Sequence, residues 1–361
     1  MKILIIKMSS LGDIIHAFPV VDYIKEFYPE ADIDWVVEKP FSELLRAHPK
    51  LNQIFEVQTK KWRTNLFNKN HRKEIGEFVS KLRGDFYDFI IDLQGNIKSG
   101  IITSLAKGSQ KVGFGAKTVP EWPNLFVTSH RYNPPFNKNI REDYLFIVQS
   151  ALKNFQPILN LAIKLKLSQS QIEELNEIQS EIQSINRLKV MVCPGSNWNN
   201  KQLSRESLEG FLKLLEPYLN AHLFFIWGSQ NEKNLVLKIA ENFDKCSTVM
   251  ERLPMPLLQN VMSQMDLIIA MDSLPLHLAG TTSVKTFSVF GASSANKYKP
   301  LGGTQNAMQG QCPYGKTFEK RCSLLRTCST GACIKNLEGR DIFSEFLNWW
   351  KEISFGKNQS K

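Results

Sequence analysis

Residues Met1–Pro19 read MKILIIKMSSLGDIIHAFP, and this stretch decides the fold. Ile3–Ile6 is a short, fully apolar run rich in β-branched residues, the mark of a strand buried on both faces. Lys7-Met8-Ser9-Ser10-Leu11-Gly12-Asp13 follows as a small glycine-containing turn, and Ile14 to Phe18 restarts an apolar pattern that suits a helix. A buried strand, a glycine turn and a helix open a doubly wound α/β domain, and ligands of such domains sit outside the carboxyl ends of the strands. Asp13 lies at that turn. An aspartate there caps the helix, or it faces a ligand and moves a proton.

The alternation continues outward. Strands are predicted at Ile33–Val37, Ile54–Val57 and Phe89–Leu93, with helices over 14–28, 41–47, 73–83, 97–106 and 140–155. Lys111–Tyr132, with two glycines and two prolines, reads as irregular. After the polar stretch Ser168–Ile185 the pattern restarts, with strands at 189–193, 222–227, 267–271 and 285–290, the last clear strand. Helices are expected between them, and an amphipathic helix rich in Phe and Trp at Asp341–Ile353. Such alternation, twice over, implies two α/β domains with mostly parallel sheets. The expected division is 1–170 and 186–340, with a C-terminal helix at 341–356 packing back on the first domain. At 361 residues and 42% apolar content the chain can fill two cores.

The net charge of +10 calls for an anionic partner, such as nucleic acid, a membrane face or a phosphorylated molecule. No helix-turn-helix, zinc-finger or stacking motif argues for nucleic acid. No run of about 18 uncharged apolar residues reads as a membrane span, and the early Lys7 and Asp13 do not suit a signal peptide. A cytoplasmic location is expected. Of six cysteines, Cys312, Cys322, Cys328 and Cys333 cluster late with the spacing C-x9-C-x5-C-x4-C. That spacing lacks the C-x2-C knuckles of common zinc sites. Reduced, partly buried thiols are the leading reading and a structural metal the alternative.

Polar residues at strand ends mark the expected cleft between the two domains. In the second half these are Ser196, Asn197 and Lys201; Glu232; and Asp272, Ser273 and His277. Hydroxyls, a lysine and helix N-termini together suit a diphosphate, and an acidic residue such as Glu232 suits ribose hydroxyls. Taken singly, Lys201 is also an ordinary loop lysine, Glu232 a solvated helix start and His277 a packing histidine. The run Lys60-Lys61-Trp62-Arg63, with Lys69, Phe67, His71, Arg72 and Lys73 close by, fits an anionic headgroup or sugar acid. A solvated surface is the plainer reading. Asp32-Ile33-Asp34 has the letters of a metal-binding DxD motif, but it falls at a strand start and reads as chance.

The segments KILIIKMSSLGDIIHAFPV, DWVVEKPF, KKWR, IIDLQGNIKSG and DSLPLHLAG together resemble the lipopolysaccharide heptosyltransferases, glycosyltransferase family 9, most closely heptosyltransferase I. The resemblance is densest in residues 1–105 and 188–291. It implies a GT-B fold of two Rossmann-like domains facing across a cleft. It also implies an inverting, cytoplasmic enzyme of lipopolysaccharide core biosynthesis, peripheral on the inner membrane. Such an enzyme moves L-glycero-D-manno-heptose from ADP-heptose to Kdo of Kdo-lipid A, with no cofactor and no metal for catalysis. By resemblance Asp13 is the general base. Ser196, Asn197, Lys201, Glu232, Leu253, Asp272, Ser273, Leu274 and His277 bind the donor, with Leu253 on the adenine side. Lys60, Lys61, Arg63 and Arg141 meet the acceptor. Two features depart from the family pattern. Leu274 stands where the family usually has glycine, followed by Pro275. The cysteine segment Gln311–Ile334 has no place in the pattern and reads as a surface insertion near the donor domain. Alternatives are a heptosyltransferase II-like or other core-sugar transferase, or a non-catalytic relative that binds a sugar nucleotide or lipid.

Overall fold

Strand β1 (Lys2–Ile6) lies at the centre of a parallel sheet, paired with β2 (Asp32–Glu38) on one side and β4 (Tyr87–Asp92) on the other. Its residues Ile3, Leu4, Ile5 and Ile6 are fully buried, each side chain contributing about 1.5–3 kcal/mol of burial. The computed structural model describes residues 1–65, 68–158 and 162–355; Phe67 and position 356, both named above, lie outside the described residues. The chain divides into two units, Met1–Leu161 and Ala162–Lys361.

In the first unit β3 (Ile54–Val57), β5 (Gly108–Phe114) and β6 (His130–Tyr132) complete a six-stranded sheet of order β3-β2-β1-β4-β5-β6. The second unit repeats the plan. Its strands are β7 (Leu188–Cys193), β8 (Ala221–Phe225), β9 (Ser247–Val249), β10 (Leu267–Met271), β11 (Lys285–Phe290) and β12 (Gln305–Gln309). Their order is β12-β11-β10-β7-β8-β9. Read from each unit's first strand, both are the doubly wound order 3-2-1-4-5-6. Strand order reverses between β1 and β4 in the first unit and between β7 and β10 in the second.

The structure corrects several sequence expectations. The single helix expected over 14–28 is two, Leu11–His16 and Phe18–Phe27, with Pro19 in the first turn of the second. Proline has no N–H to continue the first helix but is tolerated at a helix start. The stretch 111–132, expected to be irregular, supplies β6 and most of β5. Gly108 is required there because a Cβ would stand 2.6 Å from the Tyr87 carbonyl oxygen. β9 and β12 went unread as well, and β12 follows the strand taken as the last.

The C-terminal helix Gly339–Phe355 lies on helix Arg205–Leu219. Phe346 meets the rings of Phe211 and Phe287 at 6.0 and 5.4 Å, and Gly339 packs directly on Gly210. The apolar face of this helix, with Ile342, Phe346 and Trp349, belongs to the second unit's core. The helix Gln169–Ser184 also packs within the second unit, against helix Met255–Met262.

Candidate active site

In the first unit the parallel sheet brings the carboxyl ends of β1 to β4 to one edge. Asp13 is the third residue of the helix that follows β1. Its Oδ2 accepts the Ser10 N–H at 3.1 Å and the Ser10 Oγ–H at 2.7 Å, so it caps the helix while remaining partly exposed. The turn before it is held by Gln94, whose Oε1 accepts both the Met8 and Ser9 N–H at 3.1 Å. Gln94 in turn follows the β4 terminus Asp92, a fully buried carboxylate that accepts N–H bonds from Gln94 and Gly95. The DLQG segment therefore acts as scaffold for the turn that carries Asp13.

The basic segment sits on the same edge. Lys60, Lys61 and Arg63 are exposed on helix Thr59–Thr64, just after β3. Glu38, at the end of β2, accepts the N–H and hydroxyl of Thr59 and anchors this helix. Lys61 is engaged locally, its Nζ 2.7 Å from Glu74. Trp62 is a core residue, packed on Phe78 with its Nε1 donating to Glu74. Arg141 differs from the other three. It is 1% exposed, and burial pushes its guanidinium down to about 10. In this conformation it is part of the interior.

In the second unit Ser196, Lys201, Asp272, Ser273 and His277 gather around the strand-order reversal. Lys201 comes from the loop after β7 and Asp272 directly follows β10. Lys201 Nζ stands 2.5 Å from Asp272 Oδ2, and both side chains are buried. His277 Nε2 lies 3.5 Å from the other carboxylate oxygen. Ser293, which follows β11, donates its hydroxyl to Asp272, and Ser196 Oγ reaches the Asp272 carbonyl at 3.3 Å. Burial works to raise the Asp272 carboxyl. The His277 hydrogen bond and the Lys201 charge outweigh it and hold the group well below the usual carboxylate range. A buried charge is tolerated when paired and hydrogen-bonded in this way.

Ser273 stands at the N-terminal boundary of helix Leu274–Ala279 without capping it, and its Oγ is buried with no hydrogen-bond partner among the described residues. Leu274 and Pro275 form the first turn of that helix and are partly exposed. Asn197 is exposed in the β7 loop. Glu232 closes the neighbouring turn, its Oε2 accepting the Gly228 and Ser229 N–H at 2.6 and 3.1 Å. Its other oxygen lies across Gly195, where a Cβ would stand 2.3 Å away. Leu253 is buried four residues past β9, on the same edge. The sequence reading missed Ser293, Gly195 and Gln94. Ser293 was findable, because Gly291-Ala292-Ser293-Ser294 is a small-residue turn at a strand's carboxyl end.

Two doubly wound units, each with polar side chains at its strand-order reversal, define the GT-B class of glycosyltransferases. The fold is similar to that of E. coli heptosyltransferase WaaC with ADP. That match has a TM-score of 0.76 at 18% identity, covering 97% of this chain and 100% of that one. Lipopolysaccharide heptosyltransferase 1 of Campylobacter coli is 27% identical over 299 residues, 81% of this chain and 84% of that protein. The Pseudomonas aeruginosa protein of the same name is 25% identical over 329 residues, 90% of this chain and 88% of its own length. The chain belongs to glycosyltransferase family 9 (heptosyltransferase), which matches residues 75–327.

Proposed function

We propose that the chain transfers L-glycero-D-manno-heptose from ADP-heptose to Kdo of Kdo-lipid A, with inversion, at the cytoplasmic face of the inner membrane. The observation that carries this reading is the buried Lys201–Asp272–His277 network at the second unit's strand-order reversal, where a doubly wound domain binds a nucleotide. The relatives' names, lipopolysaccharide heptosyltransferase 1, support the sugar and the pathway.

In the proposed reaction Asp13 accepts the proton of the Kdo hydroxyl as that oxygen attacks the anomeric carbon. The bond from that carbon to the diphosphate oxygen breaks on the opposite face, and ADP leaves. A carboxylate is a weak base, so its contribution comes from positioning. The Ser10 cap fixes where Asp13 points. Asp272 holds the Lys201 ammonium in place, and that charge, with the unpartnered Ser273 hydroxyl, meets the negative charge developing on the leaving diphosphate. His277 donates to phosphate or sugar. Glu232 takes the ribose hydroxyls, and Leu253 lies on the adenine side. Ser196, Asn197 and Leu274 line the donor, and Lys60, Lys61 and Arg63 meet the acidic acceptor. Arg141, with its guanidinium buried, reaches the acceptor only through a local opening of its surroundings. No metal takes part in the transfer. Among the described residues no helix is long and apolar enough to cross a membrane. The exposed Lys60, Lys61 and Arg63 are the groups that would meet an anionic membrane face.

The test is mass spectrometry of the product after incubation with Kdo-lipid A and a panel of sugar nucleotides. ADP-heptose giving a heptosylated product, with release of ADP, is the expected result. Transfer of another sugar, or transfer only to an already heptosylated core, would replace this reading by a different core-sugar transferase. No transfer from any donor would leave a binding protein, the reading that Leu274 at the usual glycine position favours.

A further inference from the structure

The second unit holds a side-chain cluster that the transfer reaction does not use. Cys312, Cys322, Cys328 and Cys333 all line one cavity of about 100 Å³. Cys333 packs there with Ala292 and Leu325, and Cys312, Cys322 and Phe318 lie against them. All four are free of disulfides.

One of the sulfurs is already engaged by the backbone. Cys328 Sγ accepts the Gly331 N–H at 3.4 Å. Gly331 takes φ +59, the left-handed conformation that aims its N–H back at the sulfur, and a Cβ there would stand 2.7 Å from Asn200 Oδ1.

We propose that Cys312, Cys322, Cys328 and Cys333 are the ligands of a four-thiolate metal centre in the second unit, occupied by a thiophilic metal as a zinc ion or an iron–sulfur cluster. As folded here, the described residues contain no group of three or more His, Cys, Asp or Glu side chains drawn up to ligate an ion. The thiols instead line one cavity together with apolar side chains such as Phe318 and Leu324. A metal either pulls them inward, since such sites are rarely preformed without it, or spans the cavity as a cluster, which sets of four cysteines also hold.

The centre's place in the fold gives it a structural task. Asn200, the residue before Lys201, donates from Nδ2 to the carbonyls of Leu325 and Cys328 at 3.0 and 2.8 Å. On the other side Ser294 N–H donates to the Lys320 carbonyl and Cys322 N–H to the Ala292 carbonyl, both at 2.8 Å. These flank Ser293, which bonds Asp272. Fixing the four cysteines thus fixes the two loops that hold Lys201 and Asp272 together.

The experiment uses the full chain, purified without oxygen or chelator, and measures zinc, iron and acid-labile sulfide beside the Cys322→Ser/Cys328→Ser variant. The expected result is iron with a matching amount of sulfide and visible absorption, or about one zinc per chain without sulfide, with most of the metal lost in the variant. A wild-type chain that is folded, metal-free and alkylated at all four thiols overturns the proposal, whatever the variant does. So does a variant that keeps the wild-type metal content. Stripping the metal from the wild type with a chelator is expected to lower its melting temperature, and an unchanged melting temperature removes the structural task.

Discussion

Lys201 Nζ lies 2.5 Å from Asp272 Oδ2, a buried ion pair that joins the loop after β7 to the residue that directly follows β10. Each residue comes from a separate strand end, and the pair brings them together where the sheet's strand order reverses. The pair needs the network around it, because two buried charges cost more to desolvate than their attraction returns unless hydrogen bonds complete the site. Ser293 and His277 complete it at the carboxylate.

Lys201→Ala is therefore expected to act on both stability and ligand binding. Leaving Asp272 without its cation costs about 3 kcal/mol, read by urea unfolding. Adding Asp272→Asn to the variant recovers part of that loss. Losing a charge-assisted phosphate contact costs about 1.5–3 kcal/mol of binding, a weakening of ADP of at least about tenfold by calorimetry. ADP affinity equal to wild type would remove Lys201 from the donor site.

Asp13 is both a helix cap and the proposed base, and two variants separate these roles. Asp13→Asn keeps an oxygen for the Ser10 N–H, whereas Asp13→Ala loses the cap at a cost of about 0.5–2 kcal/mol. Both are expected to lower kcat by about 10²–10⁴-fold with ADP binding intact. An Asn variant retaining more than about a third of wild-type kcat, against that expected loss, would leave Asp13 as a cap only.

The basic helix gives a graded expectation. Reversing Lys60 and Arg63 to Glu should raise KM for the Kdo-lipid acceptor and leave ADP affinity unchanged. The effect should shrink with salt, because exposed charges are screened beyond about 10 Å at 0.1 M. Lys61→Glu should act less on the acceptor and more on local stability, because its partner is Glu74. An acceptor KM that is unchanged at low salt would mark these residues as plain surface.

Gly195→Ala is expected to displace the Glu232 carboxylate, which lies 2.3 Å from where the new Cβ would stand. The carboxylate cannot swing aside freely, since two backbone N–H groups hold its Oε2. The variant should fold, raise the donor KM, and show no further defect when Glu232→Ala is added. Fully additive defects in the double variant would separate the two residues.

Tyr23 gives a pH signature of the first unit. Its hydroxyl donates to the Asn154 carbonyl at 2.5 Å, and burial raises it from 10.0 to about 12. The folded state holds the neutral phenol, so this contribution to stability is whole below pH 10.0 and is lost as pH rises toward about 12. Stability compared between wild type and Tyr23→Phe should differ by a constant below that window and shift in favour of Phe within it. A flat difference across the window would refute the shift.

The central strands were legible because both their faces are buried, which writes a continuous apolar run into the sequence. β10 and β11 fall where that reading puts them. The edge strand β3 was read as well, at Ile54–Val57, although only alternate residues of it are buried. The strands that went unread are β5, β6, β9 and β12, of which β6, β9 and β12 are short or polar and lie at or toward a sheet edge. An edge strand pairs on one side only, so its backbone partner fixes it more than its side chains do. β12, with the sequence QNAMQ, is a strand because β11 lies beside it.

The same division holds for the site. The turn after β1 and the asparagine, serine, lysine and aspartate at strand ends could be read locally, since a strand followed by a small-residue turn and a helix is a local pattern. Their partners could not. Ser293 bonds Asp272 from the end of the next strand in the chain, Glu232 lies over Gly195, and Glu74 takes Lys61. The four cysteines carry no local zinc-knuckle spacing and meet only because their loops fold over Ala292 and Asn200. Which residue types stand at strand ends is set by short-range sequence. Which of them touch depends on strand order, and that is fixed only when buried surface from distant segments is matched in the folded chain.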